Sequence, residues 1–229
     1  MTKPFHQYQN PALATDLVIF GYHDKQLSIL LLNRKEEPYT GQWTLPGTFL
    51  QMTETFSQAC SRILSDKLGI GNVFLEQLYS FDRIDRDPRG RVVSVAYFAL
   101  INPRNFEVIA GQMANDVRWF PVNTLPDLAF DHAEIFSLAL QRIRAKILYY
   151  PVGFELLNET FTMTELQDLY ESILGITIDR RNFRRKILES GYVITTGQKR
   201  EGLKNRHPDL YKFNSGLTPN NFQLNIPLS

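Results

Sequence analysis

The sequence predicts an α+β chain of two domains, residues 1–150 and 151–214, with a C-terminal tail at 215–229. Three observations carry that expectation. Strand-length apolar runs alternate with two helix-spaced segments in the first part, and the second part reads helix, turn, helix, hairpin. Charge also changes sign along the chain: residues 1–178 hold 15 Lys/Arg against 20 Asp/Glu, and residues 179–229 hold 10 against 4. A small basic module on an acidic body is the pattern of a polyanion-binding part joined to something else.

Taken in order, Leu17–Tyr22 and Leu27–Asn33 are apolar runs separated by His23-Asp24-Lys25-Gln26, which predicts a hairpin. Phe56–Leu68 has apolar residues at 56, 59, 60, 63, 64 and 68, the spacing of a helix, with Thr53 or Thr55 as cap and Gly69 as stop. Val73–Phe81, Val92–Ile101 and Asp116–Phe120 are further strands, the first two joined by the turn Asp85–Arg91. Asp131–Leu148 is helical until Tyr150-Pro151-Val152-Gly153 breaks it and marks the domain boundary. Thr162-Met163-Thr164-Glu165 is a capping box ahead of a helix ending at Leu174, with Gly175 beyond it. Asp179 caps Arg180–Glu189, and Tyr192–Thr195 and Leu210–Phe213 form a hairpin around a basic loop. That order is the order of a winged helix-turn-helix.

Composition narrows the classes. With 43% hydrophobic and 12% aromatic residues, disorder of the whole chain is excluded. No apolar run approaches the roughly 18–20 residues of a membrane span. The opening MTKPFHQYQNP lacks the apolar core of a secretory signal, and Cys60 is the single cysteine, so no intramolecular disulfide forms. A cytoplasmic protein with no membrane partner is expected.

Leu45–Ile70 resembles the signature box of the Nudix family. Trp43 and Leu45-Pro46-Gly47 match its lead-in, and Glu54, Arg62, Leu64, Gly69 and Ile70 match in register, while Thr48 stands where the family has Gly. The resemblance extends over the strand order of residues 14–148 and implies an N-terminal Nudix-like α/β/α sandwich. The family's metal-binding carboxylates occupy positions i, i+3 and i+4 of one helix, hence one face. Here those positions are Ile63, Asp66 and Lys67. Divalent cations need hard oxygen ligands, so the degenerate box (Thr48, Glu54, Arg62, Ile63, Asp66, Lys67) is expected to hold no metal and to provide no catalytic residue. Lys67 is expected to fill part of the metal's space by charge, and Glu54 and Arg62 to form an ion pair beneath the helix. Asp131-His132 reads as a helix cap beside a hydrogen-bonded histidine. No cofactor is expected.

Such a domain keeps its pocket when it loses its metals, and Arg34, Trp43, Phe49, Arg86 and Arg91 are the expected ligand-binding residues. Arginine offers five donors in a fixed fork, which suits phosphate oxygens and sugar hydroxyls. In the second part, Asp179–Glu189 carries Arg180, Arg181, Arg184, Arg185 and Lys186 against an apolar stripe of Phe183, Ile187 and Leu188. Arg181, Asn182 and Arg185 have the residue chemistry for base edges, while Lys199, Arg200, Lys204 and Arg206 are expected to hold phosphates, with Arg180 and Arg184 completing the DNA-binding set.

The combination resembles the Nudix-related transcriptional regulators, often called NrtR. Asp85–Leu100, Phe130-Asp131-His132, Phe161–Leu166, Arg181–Arg185 and Leu210–Phe213 all read like that family, over about residues 10–214. The resemblance implies a homodimeric repressor on a palindromic double-stranded operator, controlled by a small effector in the Nudix pocket. Many members sense ADP-ribose in control of NAD biosynthesis, and a sugar-responsive branch senses arabinose. The alternatives are a Nudix hydrolase of nucleoside diphosphate sugars and, more remotely, an RNA-binding adaptor.

Overall fold

The computed structural model describes residues 9–71, 73–106, 114–201 and 207–216. Strand β1 (Ala12–His23) is buried along almost its whole length, because both of its faces are covered. It pairs with β2 (Gln26–Arg34) only through Phe20–His23, and nearer its start with β4 (Gly47–Phe49) through Ala14–Asp16. The two strands of the hairpin therefore diverge away from their tip. Strand β3 (Trp43–Thr44) follows β2, β6 (Val92–Ile101) runs parallel to β1, β5 (Phe74–Phe81) lies outside β6, and β7 (Ala114–Pro121) pairs with β2. The hairpin tip is a two-residue turn with positive φ at Asp24 and Lys25, the geometry whose twist matches that of the flanking strands.

Strict alternation along the strands builds two cores, one on each face of the sheet. Leu17, Ile19, Leu30, Leu32, Ala99 and Ile101 meet Ile63, Leu64 and Leu68, just beyond α1 (Phe56–Arg62). Val18, Phe20, Leu27, Ile29, Leu31 and Phe98 point the other way, towards Ile135, Ala139 and Ile143 of α2 (His132–Lys146). The α/β/α sandwich is present as expected. Thr55 caps α1 through a capping box with Gln58. The expected straight helix to Leu68 stops early, however, because Ile63–Lys67 form a widened π-helical turn.

The second domain adds two elements that the sequence pattern did not reveal, a single-turn helix α3 (Gly153–Leu156) and a two-residue strand β8 (Phe161–Thr162). Helix α4 (Met163–Leu174) carries the expected Thr162–Glu165 capping box and ends at Gly175, whose φ of 73° is the left-handed conformation glycine adopts freely. Asp179 caps α5 (Arg180–Glu189) by accepting from the Asn182 amide. β9 (Val193–Lys199) and β10 (Asp209–Phe213) complete a sheet of order β8-β10-β9. Lys204, Arg206 and residues 217–229 of the tail lie outside the described residues.

The α2-side core continues without a break through Ile147, Val152, Leu156, Phe161, Leu166 and Ile173 into the winged helix. Polar links stitch the same seam: the Leu27 amide donates to the Ser172 hydroxyl (2.8 Å), Arg144 donates to the Ile173 carbonyl (2.9 Å) and Lys25 pairs with Asp168 (2.8 Å). Among the described residues no helix is long and apolar enough to cross a membrane. Phe20 is fully buried where the sheet meets this continuous core. Replacing it with Ala is expected to cost about 3–5 kcal/mol, read as a lower urea midpoint at unchanged slope.

Candidate functional site

A cavity of about 260 Å³ opens where β1 and β2 diverge. Its floor is polar and buried. Asp16 on β1 accepts from the Ser94 hydroxyl (2.7 Å) and from Arg86 Nη2 (3.0 Å), and Arg86 grips Asp131 through two bonds of 2.8 Å. His132 Nδ1 accepts from the Leu45 amide (3.0 Å) and lies 2.8 Å from the Thr44 hydroxyl. An amide can only donate, so the ring proton belongs on Nε2, which faces Asp16 Oδ1 at 3.4 Å. Burial by itself raises the Asp16 pKa, but His132, the Arg86 guanidinium and the Ser94 hydroxyl outweigh it and hold the carboxyl well below the usual carboxylate range. Gly47 sits opposite Asp16 in the β1–β4 pairing, where a Cβ would come within 2.5 Å of Asp16 Oδ1.

The rim is aromatic and carries Arg34 and Arg89, the latter paired with Asp87 (2.7 Å). Arg34 lies 5.0 Å from the centre of the Phe130 ring, and Arg89 lies 5.9 Å from Phe130 and 5.3 Å from Phe49. Phe130 holds φ of 58°, a strained value for a side chain with a Cβ, and strain of this kind gathers at ligand sites. Burial and the like charge of Arg89 both push the Arg34 pKa below its ordinary value. An anion between these two guanidinium groups would relieve that repulsion.

Of the expected pocket residues, Arg34, Phe49 and Arg86 line this cavity. Arg86 does so as part of the buried floor, with Nε and Nη2 bonded to carboxylates. Trp43 and Arg91 are elsewhere. Alternation on β3 turns Thr44 inwards and Trp43 outwards, against Phe120 and beneath Arg118, and Arg91 donates to the Asp82 carbonyl. Arg89 and Phe130 take those places, and sequence reasoning missed both. Asp131 caps α2 by position alone, since its carboxylate bonds Arg86 and makes no capping bond.

The box residues do not fit a divalent cation. Ile63 is fully buried in the α1-side core, Asp66 accepts from the Ser65 hydroxyl, and Glu54 is paired with Arg62, which also donates to Thr48 and to the Phe49 carbonyl. The π-helical turn also breaks the one-face spacing that three shared ligands require. The Lys67 side chain lies outside the described residues.

In the winged helix, Phe183 and Ile187 are buried, with Phe183 edge-on to Tyr170 at 5.2 Å, whereas Leu188, expected in the apolar stripe, is 40% exposed. Arg180, Arg181, Arg184, Arg185 and Lys199 are exposed. Four of the expected DNA-binding residues already have partners. Arg184 donates to the Tyr211 hydroxyl (3.0 Å), Asn182 accepts from Arg185 (2.9 Å) and Arg200 donates to Glu165 (2.7 Å).

The depressed Asp16 carboxyl makes stability depend on pH with a definite sign. Its contribution is fully present above the unfolded carboxylate value of about 4 and is lost as pH falls through the lower folded value. The stability gap between the wild type and Asp16→Asn is therefore expected to be widest near neutral pH and to shrink on acidification. Urea titrations from pH 7 down to pH 3 check this, and a gap that widens in acid contradicts it.

The NUDIX domain model matches residues 11–139 and the NrtR DNA-binding winged helix domain model matches residues 153–213. The ADPR responsive transcriptional repressor NtrR of Acinetobacter baylyi is 38% identical over 210 residues, 90% of this chain and 83% of the relative. The crystal structure of Shewanella oneidensis NrtR complexed with a 27mer DNA superposes with a TM-score of 0.79 at 34% identity, covering 95% of this chain and 99% of that one. The NUDIX domain of the same protein complexed with ADP ribose superposes with a TM-score of 0.55 at 34% identity, covering 62% of this chain and 94% of that one. The chain belongs to the NrtR family, in which a Nudix domain is joined to a DNA-binding winged helix.

Proposed function

We propose that this chain is a transcriptional repressor that grips duplex DNA through its winged helix and responds to ADP-ribose in the cavity of its Nudix domain. The observation that carries the reading is the pairing of both modules, in order, with an ADPR-responsive repressor over 90% of the chain. The cavity's chemistry supports it. Two guanidinium groups flanking aromatic rings suit a diphosphate beside a flat base, and they favour an anionic nucleotide over a neutral pentose such as arabinose. The box supports a sensor over a hydrolase, because a buried isoleucine and a neutralised glutamate leave no face for metal. One winged helix covers one half-site, so a homodimer on a palindromic operator follows from two-fold symmetry. A regulator of this kind works in the cytoplasm, on the nucleoid.

ADP-ribose is expected to raise the melting temperature of the full chain by mass action, with Arg34→Ala and Arg89→Ala each weakening its affinity by about tenfold or more. The same incubations with Mg²⁺ or Mn²⁺ are expected to release no AMP. Turnover within the ordinary enzyme range of roughly 1–1000 per second would return the chain to the hydrolases. In the winged helix, Arg181→Ala is expected to cost about 1–3 kcal/mol on a selected duplex and to relax preference at one base position, with little change on random DNA.

A further inference from the structure

Arg200 looks at first like a wing cation waiting for a phosphate. Its surroundings give it another task. It stands at the end of β9, where its amide donates to the Pro208 carbonyl (2.9 Å) and so closes the base of the wing. Its guanidinium reaches across the domain to Glu165 Oε2 (2.7 Å), the same oxygen that accepts the Thr162 amide (2.7 Å) in the capping box of α4. Thr162 in turn pairs with Leu210 on β10. One carboxylate oxygen thus gathers β8, the start of α4 and the base of the wing.

We propose that Arg200 is a positioning residue that sets the angle of the wing through Glu165, and that it makes no contact with DNA. This rests on the reading of the winged helix as a duplex-binding module. The two roles predict opposite signs at Glu165. If Arg200 sets the wing, removing the charge on Glu165 loosens the wing and weakens binding. If Arg200 holds a phosphate and Glu165 masks it, removing that charge frees it and tightens binding. The salt dependence separates the roles again. Taking away a cation that neutralises one phosphate shallows the slope by about one unit, whereas taking away a strut leaves it alone.

The test uses the full chain and a labelled duplex that the wild type selects from a randomised pool. Arg200→Ala and Glu165→Gln are measured singly and together across a salt series. Glutamine still accepts the Thr162 amide, so the helix cap survives, and melting temperatures confirm that both variants fold. The expected result is a loss of roughly two- to fivefold for each single variant, no further loss in the double variant, and a salt slope equal to wild type. Tighter binding by Glu165→Gln, or a slope about one unit shallower for Arg200→Ala, overturns the proposal while the regulator reading stands. A wild type that enriches no duplex overturns that reading and this proposal with it.

Discussion

A buried guanidinium between two carboxylates organises the Nudix domain. Arg86 reaches the floor of the cavity from the turn after β5 and binds both Asp131, at the head of α2, and Asp16, on β1. His132 then takes the amide of Leu45, which brings in the segment after β3. Four stretches far apart in sequence are held by one connected set of charge-assisted bonds, and those stretches line the cavity. Burying such ions is expensive, and one arginine against two aspartates leaves an excess of negative charge. The Ser94 hydroxyl and the Nε2 proton of His132 meet that excess. The cluster is therefore sensitive to the loss of any single member, and Gly47 belongs to it as the residue that lets β4 approach Asp16.

Most of the fold was legible because period and capping were unambiguous. The alternating runs in β1, β2 and β6, and the Thr162–Glu165 box, pointed to the elements that formed. Short pieces were not legible: β3, β4, β8 and α3 have between two and four residues each, too few to show a period. Among the residues that line the cavity, Arg34, Phe49 and Arg86 were readable, whereas the choice between Arg89 and Arg91 was not. Irregular turns have no parity, so nothing local says which arginine faces inwards. Trp43 failed for the opposite reason: parity existed, but a two-residue strand gave no way to read it. Long-range pairings such as Arg200 with Glu165 join residues 35 positions apart and leave no local mark.

The residue at position 63 bears on both the box and the packing of the sheet. The α1-side core needs an apolar residue at position 63, and Ile63 fills it completely. An isoleucine offers a divalent cation no oxygen ligand, and at this position it supports the sheet. The cavity borders this core, since Leu32 belongs to the one and lines the other. The Nudix domain is thus tightly packed on its α1 side while its cavity stays open.

The attachment of α4 to the hairpin has a mechanical consequence. Asp168 and Ser172 lie one turn apart on one stripe of that helix and hold the hairpin tip, and Glu165, one turn earlier, holds the wing. Strand β1 runs from Asp16 in the cavity floor to the tip at Asp24, a lever of about 26 Å at the rise of an extended chain. A tilt of about three degrees at the floor displaces the tip by roughly 1.4 Å over that length. Lys25–Asp168 and Leu27–Ser172 join the tip directly to α4, with no loop between them. The hairpin tip and α4 are therefore one mechanical unit.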